Sequence, residues 1–361
     1  MNPKSQLAPD TREFAEKIFK DVACMTEDPA GGISRAGYSD RENSVHAYLK
    51  EISRALHLEI EVDRAGNLLM TLPGRNRALP CFMTGSHADS VPQGGNFDGL
   101  AGVAAALCTV RSLITQGCVP ERDTTVVVFR SEESSWFGKA YIGSLSMVGA
   151  LKESVLDLKH RTTGISLRKT IEDTGFSPVA MTSTTPSIDL KRIGAFTELH
   201  IEQGPVLDAD SDVRVGVVTG IRGNVRHKQC ICLGERAHSG AVDRRYRHDA
   251  VFAFSHVIAD IDARWKAWLD DGKDLVVTTG VLNTEQTAAI SVVPGKVTFS
   301  LDIRSLSERT CSDFLELFKA ECALVAADRG VVFKFDQPIV TKPACLDDNL
   351  CRDLLECARV S

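Results

Sequence analysis

No stretch of this 361-residue chain approaches the roughly 20 consecutive apolar residues that a membrane-spanning helix needs. The opening residues, Met1 to Glu13, are polar and contain no apolar signal core. Nor is there a basic excess: 42 Lys and Arg stand against 48 Asp and Glu, a net charge of −6, so the field that draws nucleic acid or anionic lipid is missing. The eleven cysteines contain no CxxC pair, and Cys230-Ile231-Cys232 has the wrong spacing for a zinc knuckle. Cys108, Cys230, Cys232 and Cys322 lie in apolar segments, where a reduced thiol packs as a small hydrophobe. Repeats and low-complexity segments are absent. These absences argue against a membrane protein, a nucleic-acid binder and a disulfide scaffold. The expectation is a soluble, cytoplasmic protein with reduced thiols, long enough for two domains that each bury a core.

What is present centres on residues 84–102, Thr-Gly-Ser-His-Ala-Asp-Ser-Val-Pro-Gln-Gly-Gly-Asn-Phe-Asp-Gly-Leu-Ala-Gly. A short apolar run from Pro80 to Met83 predicts a buried strand leading in, and the stripe Leu100, Val103, Ala104, Leu107, Ile114 predicts a helix leading out to about residue 116. Alternate residues of a strand share a face, so His87 and Asp89 can point the same way. That arrangement suits a metal-bound imidazole whose other nitrogen a carboxylate holds. Asp98 sits where a helix N-cap would sit, and it can equally bridge two cations; an ordinary capping Asp beside a loop histidine is the plainer alternative. The apolar strand Thr124 to Arg130 delivers Glu132 and Glu133, adjacent carboxylates that face opposite ways. One can bind a cation while the other acts as general base, or both can decorate a solvated turn. His200 follows a third strand-like run. An open α/β sheet gathers its strand ends into one crevice, which gives three such ends a common destination.

Residues 11–24 and 40–57 predict amphipathic helices. Leu58 to Val62 and Leu68 to Leu72 predict strands about the turn Asp63-Arg64-Ala65-Gly66-Asn67. After residue 212 the rhythm changes to strands near 213–219, 225–233, 275–282, 296–303 and 331–335, with helices near 248–269 and 308–328. The predicted fold is α/β: an open mixed sheet with flanking helices (residues 1–211), interrupted by an α+β domain with a four-stranded sheet (212–329). A return to the first domain is expected over 330–361, with a helix near 347–358.

With these residues assembled, the chain resembles the amidase/hydantoinase/carbamoylase family. This is the branch of dinuclear zinc peptidase-like hydrolases that contains N-carbamoyl-L-amino acid hydrolases, allantoate amidohydrolase and β-ureidopropionase. The carrying motifs are Gly-Gly-Ile-Ser-Arg (31–35) with Tyr38-Ser39, Asp-Arg-Ala-Gly-Asn (63–67), Gly-Ser-His-Ala-Asp-Ser-Val (85–91) and Asn-Phe-Asp-Gly (96–99). Later come Glu-Glu-Ser-Ser-Trp-Phe-Gly (132–138), His-Ile-Glu-Gln-Gly-Pro-Val-Leu (200–207), Ala-His-Ser-Gly-Ala (237–241), Arg247-His248-Asp249-Ala250, Val-Val-Pro-Gly-Lys (292–296) and Leu301-Asp302-Ile303-Arg304. Independent motifs in one order rarely coincide.

The resemblance implies a zinc exopeptidase-like fold with a second domain that mediates dimerisation and covers the site, hence a homodimer through residues 212–329. It implies a small ureido or amide acid as substrate. Two divalent ions are implied, one held by His87, Asp98 and His200, the other by the bridging Asp98 and Glu133. Zinc, manganese, cobalt and nickel all suit such N/O donors. Glu132 is the implied general base for a metal-shared hydroxide that attacks the carbonyl, with Asp89 orienting the site and His238 stabilising the oxyanion. Gln203, Arg226, Ser291 and Arg304 match substrate-holding positions; a strand-face salt bridge is the alternative for the two arginines.

Three departures stand out. Ser291 replaces an Asn usual before Val-Val-Pro-Gly, and Ser134-Ser135-Trp136-Phe137 replaces the usual Gly-Ser-Arg-Phe. No histidine follows His256, so the family's Gly-His-Asp ligand to the second metal has no counterpart. The expectation is either an incomplete chain or a crippled second metal position.

Overall fold

The computed structural model describes residues 8–210 and 212–360. They form two compact units, one before and one after residue 211. In the first, β1 (Glu59–Val62), β2 (Leu68–Leu72), β3 (Cys81–His87), β4 (Thr124–Phe129) and β5 (Ile193–Thr197) make a mixed sheet in the order β1-β2-β4-β3-β5. β1 and β2 form an antiparallel hairpin, and β2 runs antiparallel to β4. β3 lies parallel to both β4 and β5. The β4 sequence Thr-Thr-Val-Val-Val-Phe carries three consecutive valines and is buried along nearly its whole length because the strand is enclosed on both faces.

Three helices, α1 (Thr11–Thr26), α2 (Asp40–Ala55) and α3 (Leu100–Thr115), bring Ile18, Val22, Val45, Leu49, Val103 and Leu107 into one core with Leu68, Met70, Val126 and Val128 of the sheet. At the start of α2 the Ser39 hydroxyl accepts the Glu42 N–H, while the Glu42 carboxylate accepts the Tyr38 N–H at 2.6 Å. Between them the two side chains satisfy backbone N–H groups on either side of the helix start.

In the second unit two long antiparallel strands, Gly223–Leu233 and Lys296–Ser305, form the centre. Each outer edge is shared by two short segments. Val332–Lys334 and Ile339–Thr341 pair with the first, and Val276–Thr278 and Leu282–Thr284 with the second. Six strands thus fill four positions, and residues beyond the expected 212–329 supply one edge. Val297, Phe299, Leu301 and Ile303 alternate inward against Phe254 and Val257 of helix Ala250–Asp270 and Phe314 and Phe318 of helix Glu308–Arg329. Phe299 faces Cys230 but Leu301 faces His227, so Gly223–Leu233 carries one extra residue, a bulge.

Three expectations need correction. Residues 213–219 form no strand: the Val213, Val215, Val218 pattern is exposed, and among the described residues it finds no sheet partner. The strand expected over 275–282 is split, since its halves meet different parts of Lys296–Ser305. Residues 330–361 were expected to return to the first unit. Instead Val332–Lys334 and Ile339–Thr341 lie on Gly223–Leu233, Ala344–Cys345 pairs with Gly220–Ile221, and helix Asp348–Val360 groups with the second unit. Val331, Phe333 and Phe335 pack on that unit's apolar core, which holds the segment there. Among the described residues no helix is long and apolar enough to cross a membrane.

One buried group runs against the grain of the core. His46 of α2 is 1% exposed, and among the described residues neither ring nitrogen has a hydrogen-bond partner. Burial first, then Arg130 and Lys50, push its pKa well below the ordinary value. Below about pH 6.5 the unfolded chain therefore takes up a proton that the folded chain refuses, and stability falls as pH falls. His46→Leu should stabilise the protein by about 1–3 kcal/mol at neutral pH and more at pH 5 in denaturant titrations. Equal destabilisation of parent and variant between pH 7 and 5 would contradict this assignment.

Candidate metal centre

Because β4, β3 and β5 are parallel neighbours, their C-terminal ends lie side by side. β3 ends on His87, β4 leads to Glu132 and Glu133, and β5 leads to His200. The His87 Nε2 lies 3.7 Å from an Asp98 oxygen and 3.8 Å from a Glu132 oxygen, and the His200 Nε2 lies 3.3 Å from the same Asp98 oxygen. Donor atoms of His87, Asp98 and His200 fall within 4.8 Å of one another, as do those of His87, Glu132 and Glu133. On its other side the His87 Nδ1 lies 3.1 Å from the Asp89 carbonyl oxygen and 3.2 Å from an Asp89 carboxylate oxygen, which leaves Nε2 turned to the cluster. Gln203 donates to the second Asp98 oxygen at 2.7 Å.

Asp98 is not a cap. The α3 N-cap is Gly99, and Asp98 faces the two imidazoles instead. Gly99 has φ +67°, and a Cβ there would come within 2.5–2.6 Å of three His87 ring atoms. Its lack of a side chain is what lets the chain turn under the ring.

The two glutamates do not sit on a loose acidic turn. Asp89, fully buried, accepts the Glu132 N–H on one oxygen and the Glu133 N–H on the other, each at 2.9 Å. One residue earlier, Ser131 has φ +48° and donates its N–H to Glu42 at 3.0 Å. The Arg130 guanidinium bonds Glu42 at 2.9 Å and the Gly66 carbonyl at 3.0 Å, and its backbone N–H reaches Asn67 Oδ1 at 2.9 Å. Arg35, also fully buried, donates to the Ala88 carbonyl at 2.6 Å and to Asn96 at 3.1 Å. Glu42, Arg130, Asn67 and Arg35 are supports that sequence reasoning did not single out. Three of them lie in motifs it quoted or in the α2 capping pattern.

The cluster is rich in negative charge. Burial, then Asp89, Glu133 and Glu198, push Glu132 up to about 7 against the pull of His87. Burial and the neighbouring Asp89 and Asp98 likewise raise Glu133. Burial would lower the His87 pKa, but Asp89, Asp98 and Glu132 outweigh it and hold the ring well above its ordinary value. Two imidazoles and several crowded carboxylates make a donor set that a divalent cation would relieve, so the residues fit a metal.

The expected second-unit residues form their own groups. His238 pairs with Val292 across a short ladder, Ser239 donates to the Ser291 carbonyl at 3.0 Å, and His238 Nδ1 accepts from Gly240 at 3.1 Å. Arg226 and Arg304 both contact one oxygen of Asp302, at 3.2 and 2.8 Å, and both remain half exposed. The strand-face salt bridge is thus present for both arginines.

Residues 83–354 match the peptidase family M20/M25/M40. The chain belongs to that family. Within this peptidase family its relatives include the allantoate amidohydrolase of Escherichia coli (strain K12), 31% identical over 349 residues, 96% of this chain and 82% of the relative. The N-carbamoyl-L-amino-acid amidohydrolase of Paenarthrobacter aurescens is 30% identical over 92% of this chain and 81% of its own. Among solved structures, a hydantoinase/carbamoylase family amidase from Burkholderia multivorans superposes with a TM-score of 0.87 at 27% identity, covering 99% of this chain and 83% of that one. The amidase/hydantoinase/carbamoylase branch is therefore where this member of the peptidase family sits, with its fold.

Gly99→Ala tests the turn under His87. The added methyl should displace the ring and lower zinc affinity by tenfold or more in calorimetric titration, with thermal unfolding shifted by only a few degrees. Unchanged affinity would show that the ring has room to move.

Proposed function

We propose that the chain is a metal-dependent amidohydrolase of carbon–nitrogen bonds other than peptide bonds, acting on N-carbamoyl-L-amino acids or related ureido acids such as allantoate and 3-ureidopropionate. The observation that carries this reading is the meeting of His87 and His200 on Asp98 beside a pair of glutamates whose backbone Asp89 holds. The names of the relatives support the substrate class.

In this reading His87, Asp98 and His200 hold one divalent ion, and Asp98 and Glu133 face a second. Such ions, when bound, polarise a carbonyl and make water more acidic. Glu132 accepts a proton from the attacking water and delivers it to the nitrogen as the C–N bond breaks. Asp89 keeps Glu132 and Glu133 in place through their N–H groups and orients His87. Gln203, already on Asp98, contacts substrate or fixes that carboxylate. By motif match, His238 of the second unit stabilises the oxyanion, while Arg226, Ser291 and Arg304 hold substrate. Arg226 and Arg304 share a single carboxylate, so one positive charge is left over for an acid. A homodimer formed through residues 212–329 in the cytoplasm belongs to the same reading; sedimentation of the purified chain tests the dimer.

Of the two, the ion at Asp98 and Glu133 is offered carboxylates and no imidazole by these residues, the poorer donor set. Reconstitution with zinc or manganese should give one tightly held ion per chain and a second held more weakly, read by elemental analysis and calorimetry. Glu132→Ala should retain the tight ion and lose about 10²–10⁴-fold in kcat on an N-carbamoyl amino acid. Turnover unaffected by that change, or confined to N-acyl amino acids or peptides, would refute the assignment.

A further inference from the structure

A second group of ligating side chains lies in the second unit and involves no residue of the centre described above. A ring nitrogen of His227, the Sγ of Cys230 and a carboxylate oxygen of Asp336 all fall within 4.8 Å of one another. His227 and Cys230 are 2% and 0% exposed. The bulge in Gly223–Leu233 is what brings them together, because its extra residue puts positions 227 and 230 on the buried side in succession. Asp336 arrives from the segment just after Val332–Lys334. One of its oxygens meets His227 Nδ1 at 2.9 Å. The other accepts the backbone N–H groups of Lys228 and Gln229, each at 3.1 Å. The carboxylate is thus oriented by the bulge itself, as metal-binding carboxylates are oriented by hydrogen bonds around them. Phe335 packs edge-on against the His227 ring, with centroids 5.6 Å apart. The ring nitrogen that can share a cation with Asp336 is Nδ1, which now meets that carboxylate; the buried Nε2, on the far side of the ring, has no hydrogen-bond partner among the described residues.

We propose that His227, Cys230 and Asp336 form a structural site for a thiophilic divalent cation of the zinc type, which ties the bulge of the central strand to the chain that follows the edge strand. Imidazole, thiol and carboxylate within 4.8 Å of one another are a donor set that zinc and cobalt share. Binding forms the metal–sulfur bond and releases the thiol proton of Cys230 to solvent. The inference does not depend on the proposed catalytic activity.

Cobalt(II) separates the two sites, because His87, Asp98, Glu132, Glu133 and His200 offer no sulfur. The full-length chain, stripped of metal and titrated with cobalt chloride under reducing conditions, should develop a thiolate-to-cobalt charge-transfer absorption that saturates at one ion per chain. The band should survive in His87→Ala and vanish in Cys230→Ala. No band, or a band that persists in Cys230→Ala, overturns the proposal by placing the sulfur elsewhere or nowhere. Should Cys230→Ala fail to fold, Asp336→Asn decides. That change keeps an oxygen for the bulge N–H groups, and a tenfold or greater loss of cobalt affinity in the sulfur band supports the site. An unchanged affinity overturns it.

Discussion

The Asp89 carboxylate is the contact on which the first unit's site depends. It is fully buried, yet both oxygens are engaged, one by the N–H of Glu132 and the other by that of Glu133, with His87 beside them. A buried carboxylate is tolerable only when its charge is met by donors, and here the donors are the backbone of the very residues that must be positioned. Removing it would leave two orphan N–H groups and free the glutamates from the imidazole. A fully enclosed charge is thus given over to geometry, while the Asp98, Glu132 and Glu133 carboxylates stay more accessible.

Around Asp89 the scaffold meets the remaining cost with buried cations. Arg130 pairs with Glu42, which also accepts the Ser131 N–H and so holds the turn that launches the glutamates. Arg35 lies among Asp89, Glu42 and Asp98, its pKa lowered to about 10 by burial against the pull of those carboxylates, and it remains charged at any physiological pH. Two fixed guanidiniums balance the carboxylates that serve structure. Asp98, Glu132 and Glu133 are left in excess, which is the electrostatic condition for attracting a divalent ion rather than building internal salt bridges.

Much of this was legible in order of locality. A strand ending on His87, another leading to Glu132 and Glu133, and a third leading to His200 follow from short apolar runs, and the parallel pairing of β3 with β4 and β5 brings those ends together. Whether Asp98 capped a helix or faced a cation could not be read locally, because the answer lies in how closely Gly99 passes beneath the His87 ring. The Glu42–Arg130 pair spans 88 residues, and no local pattern announces such a partner. Residues 213–219 show the reverse failure. Their alternating valines have the strand period, but a strand exists only where another strand pairs with it, and none of the described residues does so. Residues 330–345 were misplaced for the related reason that edge pairing, not sequence position, decides which unit a short segment joins.

The two units solve the burial of polar groups differently, and the difference bears on how each can work. In the first, the buried charges near the centre are bonded into a fixed frame, which holds the side chains of His87 and Asp98 in place. In the second, Arg226 and Arg304 share Asp302 on a half-exposed sheet face, an arrangement whose contacts water and an incoming carboxylate can replace at small cost. A rigid centre favours a transition state whose charge develops at one place; an exchangeable pair of guanidiniums favours capture and release of an acid.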